Sequence, residues 1–345
     1  MRVGVVTGAS AIHGRGHLAR QRTFCHHLVS VGDTVLLATN RPDESRSIAP
    51  KIAVLEHDSL SDVGAAEAIV ELRSHGCERI VVDLPDRVST ALPETIQALV
   101  DLAFVSPGMG RQLVPQACAE IGGALTAMVA FEPESRRGRT VFVHSGRAII
   151  MFGKEFSPDS PSSDPREPNS ILVTHGGADP WNLTERTLAA LERCRGRYKV
   201  RVVIGSEYRG DVGVLEQLAR SSRHSMEAVT APASLAPVMR RSGIAVINGG
   251  MTRFELCRTG TPFIAISAND HQQRTNRELA QLGAGIAAGL AYELSDRTIA
   301  SHVDGLMASP ARRSSMSAMM ASLFDDLGAA RLRQVLVNPE SPVEP

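Results

Sequence analysis

The residues of this 345-residue chain best suited to chemistry are one histidine and several glycines that follow apolar runs. His17 lies in Gly14-Arg15-Gly16-His17-Leu18-Ala19-Arg20, directly after the apolar run Val3 to Val6, a pattern of strand, glycine-rich turn and helix. Gly14 and Gly16 let the backbone approach a ligand closely, and a helix N-terminus favours an anion through unpaired N–H groups and its dipole. An imidazole at that entrance, with an unperturbed pKa of about 6.5, is suited to general-base work.

Three further turns point the same way. In His175-Gly176-Gly177-Ala178-Asp179-Pro180-Trp181-Asn182 paired glycines again separate a strand from a helix, and Asp179 either faces a ligand or, like Asn182, caps that helix. Asn248-Gly249-Gly250-Met251-Thr252-Arg253-Phe254-Glu255 repeats the arrangement, with Glu255 placed to close a capping box on Thr252 or to accept from two ribose hydroxyls. Asn269 to Asn276 opens another helix, and the i, i+4 spacing puts Gln272 and Asn276 on one face. Turns of this kind at the ends of successive parallel strands suit a nucleotide diphosphate. No lysine follows the glycines as in a P-loop, and neither half carries a full GxGxxG, so ATP and NAD are disfavoured. His175 and His271 border these turns as phosphate contacts or as plain turn residues.

The elements that must position these residues alternate strand and helix. Arg2–Thr7, Thr34–Thr39, 51–56 and Arg79–Asp83 read as strands, with helices over 17–30 and 61–74, and 95–102, 124–131 and 140–144 continue the first half less regularly. After the Ser- and Pro-rich stretch 157–169, expected as a linker, the alternation restarts with strands at 171–174, 200–205, 226–230, 244–247 and 263–266. Continuous apolar strands alternating with helices predict parallel sheets covered on both faces. The expected organisation is an N-terminal Rossmann-like domain over 1–156, the linker, and a nucleotide-diphosphate-binding domain over 170–312. A terminal helix over 313–337, breaking near Gly328 and crossing back to the first domain, and a disordered tail over 338–345 complete it. Met316, Met319, Met320 and Leu323 fit one buried face of that helix.

Composition narrows the function classes. Lys+Arg and Asp+Glu are equal at 37 each, which gives no global electrostatic case for nucleic acid or an anionic membrane. The five cysteines are widely spaced, without a metal-ligand or disulfide pattern, and no apolar run reaches the roughly 18 residues of a membrane span. A cytoplasmic protein is expected, and the sequence leaves its oligomeric state open.

The strings His-Gly-Gly-Ala-Asp-Pro-Trp-Asn-Leu-Thr, Gly-Gly-Met-Thr-Arg-Phe-Glu-Leu-Cys-Arg-Thr-Gly-Thr-Pro and the early Gly-Arg-Gly-His-Leu-Ala-Arg carry a resemblance. The chain resembles the nucleotide-sugar hydrolases of pseudaminic acid biosynthesis and their spore-coat polysaccharide relatives, which are similar in turn to the glycosyltransferase that completes lipid II. The resemblance implies the GT-B fold, α/β, with two Rossmann-like domains and parallel sheets facing across a cleft. It implies His17 as the catalytic base, no metal and no cofactor. It places the diphosphate-binding loops on Gly16, Gly176, Gly177, Asp179, Asn248, Gly249, Gly250, Thr252, Gln272 and Asn276, the ribose carboxylate on Glu255, and the sugar beside Arg20 and Asp83. Two departures stand out: no tyrosine follows Asp83 in Asp83-Leu84-Pro85-Asp86-Arg87, and Met251 replaces a usual serine.

The implied reaction is inverting substitution at the anomeric carbon of a sugar, UDP-linked and of amino-deoxy type, with the nucleotide diphosphate leaving. Water as the attacking group makes the enzyme a hydrolase, the favoured expectation. An acceptor hydroxyl makes it a glycosyltransferase, and a sugar-nucleotide binding protein without catalysis is the third alternative.

Overall fold

Strands β1 (Arg2–Thr7) and β2 (Thr34–Thr39) bury every residue after their first, and continuous apolar runs are what a strand covered on both faces requires. The computed structural model describes residues 1–10, 16–48, 52–84, 102–106, 126–131, 140–145, 147–160 and 164–338. In it the chain divides into two units, Met1–Gly153 with Asp325–Pro345, and Lys154–Phe324.

In the first unit, helices α1 (Gly16–Ser30), α2 (Pro42–Ile48) and α3 (Asp62–Ser74) alternate with β1, β2, β3 (Ala53–Glu56) and β4 (Arg79–Asp83). With β5 (Leu102–Ser106), β6 (Thr126–Phe131) and β7 (Thr140–Ser145) the strands form one sheet in the order β3-β2-β1-β4-β5-β6-β7. The strands from β3 to β5 are parallel, as the alternation implies, whereas β6 runs antiparallel to β5 and β7 antiparallel to β6, in the part of the first half where the pattern is less regular. Between Phe131 and Thr140 the chain is too short for the crossover of about a dozen residues that a parallel return needs. Thr7 pairs with Thr39 on one side and Asp83 on the other, so β1 and β4 end level, beside the start of α1.

The second unit holds β8 (Glu167–Thr174), β9 (Lys199–Ile204), β10 (Ser225–Thr230), β11 (Ser242–Asn248), β12 (Phe263–Ser267) and β13 (Ile286–Leu290). They form a fully parallel sheet in the order β10-β9-β8-β11-β12-β13. Its helices are α4 (Leu183–Leu191), α5 (Val212–Ser221), α6 (Ala236–Arg241), α7 (Thr252–Thr259), α8 (Asp270–Gln281), α9 (Asp296–Met307) and α10 (Pro310–Leu323). The sequence reading omitted β13, whose Ile-Ala-Ala-Gly-Leu has weak strand propensity and becomes a strand by pairing with β12.

The expected linker ends earlier than residue 169, because β8 begins at Glu167 and includes Pro168. A proline is tolerated there because the β8–β11 register shifts between Ser242 and Ile244, where Gly243 leaves room for the Pro168 carbonyl. Glu167 is held by Arg201, Arg241 and Lys199.

The terminal segment is two helices. α10 packs in the second unit, and α11 (Gly328–Val337) packs in the first, where it contacts α1 and the 3-10 turn Arg147–Ile149. Met316, Met320 and Leu323 are buried as their spacing implies, but Met319 is 42% exposed and leaves the expected face. The tail 339–345 lies outside the described residues, as do Gly14 and Cys118; Cys25, Cys77, Cys194 and Cys257 are buried free thiols. Among the described residues no helix is long and apolar enough to cross a membrane.

α11 is fastened by Arg333, which donates to Asp33 Oδ2 at 2.6 Å and Oδ1 at 3.3 Å, and by backbone contact at Gly328. A Cβ on Gly328 would stand 2.1 Å from the Ile150 carbonyl oxygen, an overlap that backbone can relieve only by moving. Gly328→Ala should therefore destabilise the first unit by about 1–3 kcal/mol, the usual cost of overpacking. Thermal unfolding checks this, and an unchanged Tm would refute the docking of α11.

Candidate functional site

The apolar stripe of α1 runs Leu18, Cys25 and Leu28, yet the same buried side of the helix carries Arg20 and Gln21. Both are there for one group. Asp83, at the carboxyl end of β4, is fully buried, and a carboxylate out of water must be hydrogen-bonded and paired with cations. Arg20 Nε donates to Asp83 Oδ2 at 2.5 Å, Arg20 Nη2 donates to Oδ1, and Gln21 Nε2 donates to Oδ2 at 2.8 Å. His17 Nδ1 lies 2.7 Å from Oδ1. Burial alone would raise the Asp83 carboxyl, but the charges of Arg20 and His17 and their hydrogen bonds hold it below its ordinary value.

This geometry decides the state of the histidine. A carboxylate only accepts, so Nδ1 carries a proton and donates it to Asp83, and Nε2 is the ring nitrogen left to face a substrate. Arg20 Nη2 also stands 2.8 Å from Nδ1, but with the proton on Nδ1 it donates to Asp83 Oδ1, the acceptor the two groups share. Arg20 and Asp83, expected at the sugar, direct these polar atoms at each other and at His17. Gln21 was not foreseen, although a polar residue on the stripe of Leu18, Cys25 and Leu28 is a readable signal.

In the second unit the three turns are tied together by side-chain amides. Asn248 Nδ2 donates to the His175 carbonyl at 2.8 Å, and Asn248 Oδ1 accepts from Gly250 N at 3.3 Å. Gln272 Oε1 accepts from Gly249 N at 3.3 Å and Ala268 N at 2.9 Å, so the turns after β11 and β12 share one acceptor. Gly249 must lack a side chain, since a Cβ there would meet Gln272 Cβ at 2.5 Å. Gly176 has φ +88°, the left-handed region glycine favours, and the Gly177 carbonyl accepts from Glu207 N at 3.1 Å.

Asp179 caps α4. Its two carboxylate oxygens accept from Leu183 N at 2.9 Å and Thr184 N at 2.7 Å, the donors an anion would otherwise find there, while Asn182 makes no capping bond. The capping box between Thr252 and Glu255, one of the two alternatives for that carboxylate, does not form, because α7 is entered through Met251 without a side-chain cap. The N–H groups of Met251 and Thr252 therefore have no acceptor among the described residues.

Glu255, partly buried on α7, has no hydrogen-bond partner for its carboxyl among the described residues. Burial, and next the neighbouring Glu155 carboxylate, push its pKa up to about 7. Asn276, expected as a ligand, is instead buried, accepting from Arg253 Nη1 at 3.0 Å and donating to Ser267 Oγ at 2.9 Å, which in turn donates to Gln273 Oε1 at 2.8 Å. Arg253 is 3% exposed, lies 4.8 Å from the Phe254 ring centroid, and has its pKa lowered to about 9 by burial, with the charge of Glu278 opposing. Arg253, Ser267 and Gln273 were missed by the sequence reading, because nothing local marks a cation as buried. His175 is buried against Thr187 Oγ1 at 2.9 Å, and burial lowers its pKa to about 4 against the pull of Asp179, so it is a neutral packing residue.

No family model matches the chain. It is 26% identical over 169 residues to the spore coat polysaccharide biosynthesis protein SpsG of Bacillus subtilis (strain 168), a stretch covering 48% of this chain and 49% of that protein. The chain spans about half the length of the curated relatives it matches. Among solved structures it is similar to MurG of Acinetobacter baumannii, with a TM-score of 0.63 and 13% identity over 97% of this chain and 99% of that one. It is also similar to a UDP-N-acetylglucosamine 2-epimerase, with a TM-score of 0.62 and 12% identity over 100% of this chain and 98% of that one. With its two Rossmann-like α/β units, the chain has the GT-B fold of glycosyltransferases and this epimerase.

Proposed function

We propose that the chain is an inverting enzyme that transfers a sugar from a nucleotide diphosphate to an acceptor hydroxyl, in polysaccharide assembly. The observation that carries this reading is the hydrogen bond from His17 Nδ1 to the buried Asp83 carboxylate, which leaves Nε2 basic. Nε2 removes the proton of the incoming hydroxyl, its oxygen bonds to the anomeric carbon, and the bond from that carbon to the diphosphate oxygen breaks. Asp83 stabilises the imidazolium that results. The second unit binds the nucleotide: the free N–H groups of Met251 and Thr252 and the dipole of α7 meet the diphosphate, with the Arg253 cation buried beside them, and Glu255 accepts from the ribose.

The solved structures similar in fold include a named glycosyltransferase of lipopolysaccharide biosynthesis, and the relative SpsG is named for polysaccharide synthesis, so transfer to a hydroxyl is preferred over the hydrolysis expected from sequence. The motif strings around His17 and Asp179 favour water, and the two readings part in one experiment. A panel of nucleotide sugars is supplied with and without hydroxyl acceptors in oxygen-18 water. Acceptor-dependent release of nucleotide diphosphate is expected, whereas acceptor-independent release with label in the free sugar would establish the hydrolase.

His17→Asn should lower turnover by roughly a hundredfold or more while nucleotide affinity stays near wild type, the scale of one acid–base group. Asp83→Asn should lower turnover similarly, because an amide can donate to Nδ1 and stabilise the wrong tautomer. It should also change acid unfolding. A carboxyl whose folded pKa lies below its unfolded value of about 3.9 adds stability in full above that value, and the contribution is lost as pH falls through the folded pKa. Denaturant titrations across the acid range should therefore show a shallower loss for Asp83→Asn.

Glu255 works in the opposite sense. In the free protein its carboxyl ionises at about 7, above the unfolded value, so below neutrality a nucleotide that requires the carboxylate must expel a proton. UDP affinity should rise with pH up to about 7 and level off above it, and calorimetry in buffers of different ionisation enthalpy should register proton release. Glu255→Gln should bind more weakly and lose the pH dependence; a retained dependence would remove the ribose assignment.

A further inference from the structure

The glycine turns of the second unit follow the carboxyl ends of its strands. A separate cavity of about 390 Å³ lies at the opposite edge of the same unit, lined by Pro158, Asp164, Arg166, Arg240, Arg258 and Cys257 among others. Arg166 immediately precedes β8, Arg240 belongs to α6 just ahead of β11, and Arg258 is in the last turn of α7, so three distant stretches of chain deliver a guanidinium to one hollow.

What the arginines bond to defines the charge of this hollow. Arg166 donates to the carbonyls of Ser242 at 2.9 Å and Thr259 at 3.1 Å and to Thr261 Oγ1 at 3.2 Å. Arg258 Nη1 donates to the Phe324 carbonyl, and Arg240 Nη2 to the Ser157 carbonyl at 2.7 Å. The acceptors of Arg166 and Arg240 are uncharged oxygens, which orient a guanidinium without cancelling its charge. The carboxylate in the lining, Asp164, is bonded at 3.2 Å to Arg241, and Glu155 is the acidic neighbour of Arg240. Burial pulls the guanidinium groups of Arg166 and the half-buried Arg240 below their ordinary pKa, with the Glu155 carboxylate opposing at Arg240. Beyond its one bond to Ser157, Arg240 has further N–H groups with no acceptor among the described residues.

We propose that this cavity binds a small phosphorylated molecule, with Arg240 as the principal phosphate ligand and Arg166 supplying charge beside it. Planar guanidinium groups match the oxygen spacing of a phosphate and bind it in paired hydrogen bonds, and the volume falls in the range of about 300–1,000 Å³ typical of small-molecule sites, larger than a bare anion needs. The position gives the site a second property. Pro158 follows closely on the point where the chain enters the second unit at Lys154, and Arg258 is bonded to Phe324, the residue at which the chain leaves it. A ligand here therefore steadies both passages of the chain through this edge of the unit. The site is separate from the nucleotide loops and does not depend on the reaction proposed above.

The test uses inorganic pyrophosphate as the probe and the full chain carrying Gly250→Asp, which sets a carboxylate in the nucleotide turn and repels anions there. Calorimetry should still detect pyrophosphate binding, adding Arg240→Gln should weaken it roughly tenfold or more, and Arg240→Lys should fall between, because it keeps the charge and loses the paired geometry. Hydrogen exchange on the Gly250→Asp chain, which needs no cavity variant to fold, should slow in Lys154–Pro158 and Ala321–Phe324 when pyrophosphate is added. Absence of binding at millimolar pyrophosphate, binding that Arg240→Gln leaves unchanged, or protection confined to other segments would each overturn the proposal. In the wild-type chain, absence of UDP binding with this pyrophosphate site intact would count against the nucleotide reading alone.

Discussion

The first unit depends on neutralising one carboxylate. Asp83 is buried at the end of β4, where a charge without partners is costly enough to unfold a domain or to force protonation. Its compensation comes from a single helix. His17, Arg20 and Gln21 are spaced i, i+3 and i+4, so among the described residues one face of α1 supplies the side chains that meet the carboxylate. The parallel pairing of β1 with β4 brings that face and Asp83 together, because Thr7 and Asp83 lie side by side where α1 begins. Stability and chemistry are therefore linked: the bonds that let Asp83 be buried are the bonds that set the tautomer of His17.

The second unit uses neutral amides where the first uses charge. Gln272 Oε1 accepts from the turns after β11 and β12, and Asn248 accepts within its own turn while donating to the His175 carbonyl, so three loops are tied together by two amides. Arg253, Asn276, Ser267 and Gln273 form a buried layer beneath them. A buried polar network rigidifies only when its members are satisfied, and this one occupies side chains whose types suggested direct ligand contact. Among the described residues, the Met251 and Thr252 N–H groups at the start of α7 and the Glu255 carboxyl stay open.

Whole-chain charge hides these arrangements. Equal numbers of acidic and basic residues average out a unit whose amino-terminal sheet edge gathers three guanidinium groups around one cavity. Electrostatics act over a few ångströms at such sites, since salt screens longer distances, and the local balance is what a ligand meets.

The sequence by itself determined the alternation of strand and helix, because continuous apolar runs between glycine turns permit little else, and it singled out His17, Gly176, Gly250 and Glu255 by residue type at strand ends. It could not say which polar side chains turn inward. Asp179 and Asn276 look alike as ligand candidates in the string of letters, yet one closes a helix N-terminus and the other bonds to Arg253, since hydrogen-bond capacity is local while the partner that uses it comes from a distant strand or helix. The antiparallel β6 and β7, the strand β13 and the contacts that fasten α11, whose return to the first unit the sequence did suggest, were likewise decided by tertiary structure. Each depends on pairing or burial against residues remote in sequence, and Arg333 finds Asp33 only once the fold has brought them together.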